Sequence, residues 1–323
     1  MATKGEVGSG LTSSLDALVA ELKPRWREFR KSWYLIRTNY TALAGLIMVI
    51  VMVAIAILAP VLAPPLPNAD PLQIPRDWRF ANPIPPGAEG HALGTGNNGI
   101  DMYYGLIWGA RTTLITSLFV VLTSAIIGVV LGAVAGFYGG RIDELLMRIT
   151  DIFLSLPALI LAMAITAVLT RSLENIMLAL IIVWWPAYAR LIRGQVLTVR
   201  ESTYVEAARS IGVKKSRILF RHIVPNSLSP LVVSITLDLG AVCLVAAGLS
   251  FIGFGVQSGY AEWGRMVSDG QLWMPPVMTQ YNGVYYSAWW TWALPGLFIL
   301  IFTMGFSLLG DALRDILDPR TRR

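Results

Sequence analysis

The chain has 323 residues, 55% of them hydrophobic and 14% charged, with a net charge of +6 and a single cysteine, Cys243. Soluble proteins carry about 25% charged residues, so the composition excludes an ordinary soluble domain and points to a chain lying largely in lipid. One cysteine excludes an intramolecular disulfide and leaves the redox compartment unread.

Residues 1–41 are mostly polar and precede the first apolar run, so a cleaved signal peptide is not expected. Within them, residues 11–38 place Leu15, Leu18, Leu22, Trp26, Phe29 and Trp33 at helical spacing, with Lys23, Arg25, Arg27, Arg30 and Lys31 between. The pattern fits an interfacial helix at the headgroup level; a helix packed on a partner subunit would show the same one.

Six apolar runs are long enough to cross about 30 Å of hydrocarbon. They lie near Ala42–Leu62, Thr112–Tyr138, Ile149–Leu169, Ile176–Ile192, Pro230–Phe254 and Trp289–Leu309. The fourth is the shortest, with Arg190 near its end. Backbone groups cannot stay unpaired in lipid, so runs of this length without strand alternation are helices, and the fold is all-α and integral to the membrane. The chain divides into an N-terminal segment (1–41), a first span with its exterior loop (42–111), a core of five spans (112–309) and a short tail (310–323).

Starting from an interior N-terminus, 21 of the 26 Lys and Arg residues fall on the interior side. Only Arg76, Arg79, Arg111, Arg171 and Arg265 fall outside. This asymmetry places both termini in the cytoplasm. It also explains the basic charge through topology, with no nucleic acid required. Of the exterior loops, residues 63–111 are proline-rich and should be irregular. Residues 255–288 carry Tyr260, Trp263, Trp273, Tyr281, Tyr285 and Tyr286, which suit a docking or lid loop and equally suit interface anchoring.

The interior loop 190–225 holds the most specific pattern. Thr203 followed by Glu206 fits a capping box, and Gly212 fits a helix stop. They predict a short helix over about 204–211, with Ala207 and Ala208 forming a face small enough for another protein to approach. Glu206 then either caps that helix or meets a partner. Span two carries Gly128, Gly132 and Gly136 four residues apart, a ridge for close helix packing. Pro157, Pro186 and Pro295 fall within spans three, four and six as kink points. Asp238 is the one acid deep in a span; insertion there costs about 2.5–3.5 kcal/mol, so it should face protein or water. It is a candidate for the transport pathway or for a bond to a neighbouring helix, with Ser234 and Thr236 near enough to satisfy it.

From about Leu93 to Arg320 the chain resembles the permease subunits of the peptide/opine/nickel group of ABC importers, specifically the second permease of dipeptide and oligopeptide systems. The matching stretches are Tyr188–Gly194, Tyr204–Arg209 with its Glu206-Ala207-Ala208, Arg221–Asn226, Leu249–Gln257, Trp263-Gly264, and Leu309–Asp315 with Leu317–Arg320. The resemblance implies that Glu206, Ala207, Ala208 and Gly212 belong to a coupling helix that docks on an ATPase. It implies as partners a homologous second permease, two ABC ATPase subunits and an extracellular substrate-binding protein, around a multi-pass chain in the cytoplasmic membrane. No cofactor is expected in this chain, ATP and magnesium being bound by the partners. Peptides are the implied cargo, with oligosaccharides or nickel as the alternatives in the same group. The chain departs from the family at Gly94–Asp101, which lacks an acid and an arginine; the exterior segment after Trp263 is also longer and more aromatic, and Val224 and His222 replace common residues.

Gly94–Gly99 also spells G-x-G-x-x-G, but it follows a proline-rich loop rather than a strand, which argues against a dinucleotide site. No Gly-Lys pair occurs, so there is no Walker A motif. A membrane enzyme finds only His91 and His222 and no H-E-x-x-H. A channel or secondary transporter would give a coupling helix no purpose, and no filter-like segment is present.

Overall fold

The first helix begins where Asn39 accepts the amide of Thr41 at 3.0 Å, directly before an unbroken apolar run. The computed structural model describes residues 37–317, so the amphipathic segment 11–38 and the end of the tail fall almost wholly outside the described residues. Among the described residues, five helices are long and apolar enough to span a membrane: α1 (Tyr40–Leu62), α2 (Met102–Tyr138), α5 (Leu173–Arg200), α9 (Ser229–Ile252) and α11 (Trp290–Leu317).

The expected third span is broken. Residues 140–168 form α3 (Gly140–Leu154) and α4 (Ala158–Val168), bent by 86° at Ser155-Leu156-Pro157. Pro157 has no amide to donate, and its ring disfavours a helical residue before it, so the helix restarts rather than kinks. Six spans result only if this bent pair counts as one.

Two spans run well beyond their apolar cores. Asp101 caps α2 by accepting the amide of Tyr104 at 2.8 Å, so that helix starts ten residues before the expected Thr112. Ser172 caps α5, which runs past Arg190 to Arg200 and so is much longer than its apolar run, though it is the least apolar of the five. Pro186 lies inside it without ending it.

At one end of the bundle, α5 leads into α6 (Thr203–Ser210), α7 (Lys215–Ile218), a π turn (Leu219–Ile223) and α8 (Val224–Ser227) before α9. At the other end, loop 63–101 and segment 253–289 interlock into one platform containing α10 (Trp263–Gly270) and a hairpin of β1 (Thr279–Tyr281) and β2 (Val284–Tyr286). That hairpin is the small exception to an all-α fold. The two segments exchange backbone bonds, Ile74 to Gly259 at 2.8 Å and Ala261 to Leu72 at 2.8 Å. Indole donors bind the platform to the spans: Trp263 to Leu106 at 3.0 Å, Trp290 to Thr95 at 3.0 Å and Trp108 to Ala63 at 2.8 Å.

The α2–α5 pair is the spine of the bundle. A side chain added at Gly128 or Gly132 would collide with Tyr188 or with the backbone of Ala189, and one at Gly136 would lie 2.9 Å from the Arg193 carbonyl. The three glycines therefore let the backbones touch along three turns.

A candidate coupling surface and a polar outer platform

The surface at the α6 end of the bundle is built from a helix with one inward stripe. On α6, Val205 is fully buried and Ala208 half-buried against the core, while Tyr204, Glu206, Ala207 and Arg209 are exposed. Ala207 and Ala208 therefore do not share one free face. Adjacent helical residues point about 100° apart, so Ala208 packs inward and Ala207 stands outward beside Glu206. The expected capping box is absent as well. The N-cap is Ser202, with no side-chain cap bond, and its hydroxyl instead donates to Val199 at 2.6 Å. The Glu206 side chain is thereby left on the exposed face.

The end of α6 is closed by a Schellman motif. Gly212 has φ +79°, the amide of Val213 donates to Ala208 at 3.1 Å, and that of Gly212 donates to Arg209 at 3.0 Å. Glycine adopts that φ without a Cβ penalty. The turn presents Ile211, 80% exposed, at the tip of the surface, and Phe220 is 69% exposed on the following segment. Beside α6 an open cleft of about 750 Å³ is lined by Tyr138, Arg200, Glu201, Glu206, Arg209 and Lys215, among others.

Ion pairs bind this surface to the spans. Arg193 on α5 holds Asp143 on α3 through two bonds of 2.5 and 2.6 Å, and Arg190 pairs with Asp151. Arg200 donates to the carbonyls of Gly136 and Phe137 at the end of α2, at 3.1 and 3.3 Å. Sequence reading missed these pairs; the one signal was that Arg190, Arg193 and Arg200 follow an apolar run too short to end there.

Asp238 sits half-buried on α9, its carboxylate facing Trp184 and Tyr188 of α5. Tyr188 is 1% exposed, and its hydroxyl faces that carboxylate without closing a hydrogen bond. Thr236 does not serve Asp238; its hydroxyl donates to Val232 at 3.0 Å.

On the platform at the opposite end, the imidazole of His91 lies between two acids, 2.6 Å from Asp101 and 3.5 Å from Asp77. The hydrogen bonds from Arg79 hold the Asp77 carboxyl well below the usual carboxylate range. Gly94–Asp101 forms the turn that brings Asp101 to His91 and to the α2 cap, with Thr95 bridged to Asp101. The aromatics of 255–288 are mostly used for packing: Trp263 is buried, Tyr260, Trp273, Tyr281 and Tyr286 are half-buried, and only Tyr285 is exposed. Among the described residues, no group of three or more His, Cys, Asp or Glu side chains is arranged to hold a metal ion.

Residues 128–323 match the family described as binding-protein-dependent transport system inner membrane component, and residues 25–86 match the N-terminal transmembrane domain of oligopeptide transport permease C. The chain belongs to the binding-protein-dependent permeases. It is 40% identical over 310 residues to a probable D,D-dipeptide transport system permease protein of Escherichia coli K12, covering 96% of this chain and 97% of that one. It is 38% identical to a dipeptide transport system permease protein of Alkalihalophilus pseudofirmus, covering 92% and 90%. Among solved structures it matches the inward-facing MetNI methionine ABC transporter with a TM-score of 0.49 and 20% identity, over 67% of this chain and 97% of that one. As a binding-protein-dependent permease, the chain is a transport component of the membrane.

Proposed function

We propose that this chain is one of two permease subunits of an ATP-driven importer that carries dipeptides and short oligopeptides inward across the cytoplasmic membrane. The observation that carries the coupling role is the build of α6. A short helix, closed at Gly212 and anchored by Val205 and Ala208, presents Glu206, Ala207 and Ile211 outward where another protein can seat. ATPase subunits that bind ATP and magnesium dock there, and their closure is transmitted through α5 and α2, whose backbones touch along the glycine ridge. The excess of Lys and Arg at this end supports a cytoplasmic location for this surface and both termini, with the platform facing outward to receive the cargo-laden binding protein. The peptide assignment rests on the relatives named above. The sugar alternative loses its support, because the loop aromatics that would stack on sugar rings are largely used in packing.

The test is uptake by the complete complex in proteoliposomes, offered labelled dipeptides and labelled oligosaccharides with ATP inside. Dipeptide accumulation that is lost in Glu206→Ala, with membrane insertion and melting unchanged, supports both the cargo and the route. Normal uptake by that variant sinks the coupling assignment, and sugar uptake alone sinks the cargo.

A further inference from the structure

Hydroxyls buried in a membrane helix usually return their proton to the carbonyl one turn back. Thr112 does so with Trp108 at 3.2 Å, Thr150 with Leu146 at 2.8 Å and Ser227 with Ile223 at 2.9 Å. Thr116 and Ser117 on α2 and Ser250 on α9 do not. They are at most 4% exposed, and none of their oxygens has a hydrogen-bond partner among the described residues. All three line one cavity of about 10 Å³, together with Cys243 and the carboxyl-bearing Glu262.

Glu262 is the N-cap of α10, where its two oxygens accept the amides of Gly264 at 2.9 Å and Arg265 at 2.8 Å. The neighbouring guanidinium of Arg265 is held by Asp269 at 2.6 Å. Each carboxyl oxygen of Glu262 keeps lone-pair capacity beyond its amide bond.

We propose that this cavity binds one water molecule, shared by the hydroxyls of Thr116, Ser117 and Ser250 and the carboxyl group of Glu262. The volume suits it: a buried water needs about 10–15 Å³ and two to four polar partners. Water also fits the hydrogen-bond balance better than a small cation. A cation takes only lone pairs, which leaves three buried O–H groups without acceptors. Water accepts from two of the hydroxyls and donates to the third and to the carboxyl group, which leaves one O–H rather than three without an acceptor. Burial pushes the Glu262 carboxyl above the usual range, and water can pair with either protonation state. The bridge makes α10 part of a single unit with α2 and α9. Direct bonds frame it, from Trp263 to Leu106 at 3.0 Å and from Ser268 to Phe251 at 3.0 Å.

The experiment is a high-resolution structure of the intact importer in lipid nanodiscs, with melting curves in sodium and in choline buffer. One density about 2.7–3.0 Å from the four groups, with the same melting midpoint in both buffers, is the expected result. Thr116→Val combined with Ser250→Ala should remove that density and lower the midpoint by a few degrees. Shorter contacts with a sodium-dependent midpoint would replace the water by a cation and overturn the proposal. Absence of density in the wild-type complex would overturn it outright, whether or not the double variant folds.

Discussion

The guanidinium of Arg200, in the last turn of α5, donates to the carbonyl oxygen of Gly136, in the last turn of α2, at 3.1 Å. A second bond to Phe137, at 3.3 Å, completes a side-chain cap on a helix end whose carbonyls have no intrahelical partner. The same arginine lines the cleft beside α6. One residue therefore joins the two spans of the spine to the surface proposed to receive the ATPase.

Removing that link should loosen both. Arg200→Ala is expected to cost about 2 kcal/mol of stability, the usual range for a bond made by a charged donor. It should also lower uptake more than ATP hydrolysis, because the push reaches α6 but not α2. Hydrolysis and uptake measured on the same proteoliposomes check this; a proportional fall in both would make the residue merely structural.

The glycine ridge gives a sharper contrast between two helix positions. A methyl at Gly132 would press on the backbone of Ala189, whereas nothing lies within 4 Å of one at Gly194. Gly132→Ala should destabilise by about 1–3 kcal/mol through overpacking. Gly194→Ala should be neutral or stabilising by up to about 1 kcal/mol, since alanine is the better helix former. Melting of the detergent-solubilised complex separates them, and equal midpoints would disprove contact along the ridge.

Much of this bundle was legible in the chain, and the failures have local causes. Hydropathy located the five spanning helices because lipid admits only apolar, internally bonded segments. It missed the ten residues Met102–Arg111 of α2 because they lie beside the polar platform, where Tyr103, Tyr104 and Arg111 dilute the signal. The break at Pro157 was visible as a proline, but hydropathy averages over it and cannot separate a kink from an 86° turn. Gly212 was legible because its φ is a local demand, while the cap fell one residue early, on Ser202. The platform was not legible at all. Its bonds join residues such as Thr279 and Pro83, far apart in sequence, and no local pattern encodes such pairs. Glu262 passed unnoticed as well: its capping bonds to Gly264 and Arg265 are local, but the buried hydroxyls around it, Thr116, Ser117 and Ser250, lie on two other helices.

Asp77 supplies a pH test of the platform. Its carboxyl is lowered by the hydrogen bonds from Arg79, so the folded state favours the ionised form. The resulting stabilisation is complete above the ordinary carboxylate value of about 3.9 and is lost as pH falls from there toward the lowered value. Amide exchange at Asp77, whose N–H donates to Gly99 at 2.9 Å, should be protected equally at pH 7 and pH 5, after correction for intrinsic exchange, and lose protection below about pH 4. Arg79→Ala should weaken protection at neutral pH and shrink the acid-dependent step, the backbone amide at position 79 and His91 remaining. An unchanged profile in that variant would mean that Arg79 does not set the ionisation of Asp77.

Asp238 is the remaining intramembrane acid, and its two roles predict different variants. Its carboxylate faces the Tyr188 hydroxyl and the Trp184 indole across the α5–α9 seam. An amide of the same shape still offers an oxygen to both, so Asp238→Asn should fold, assemble and take up dipeptide at close to the wild-type rate. Asp238→Leu removes every acceptor and sets an apolar side chain against the buried tyrosine hydroxyl. Its midpoint should fall, with uptake falling in step. The informative failure lies in the asparagine variant. If it melts like the wild type but no longer carries peptides, the negative charge itself meets the cargo, and Asp238 belongs to the pathway rather than to the seam between two helices.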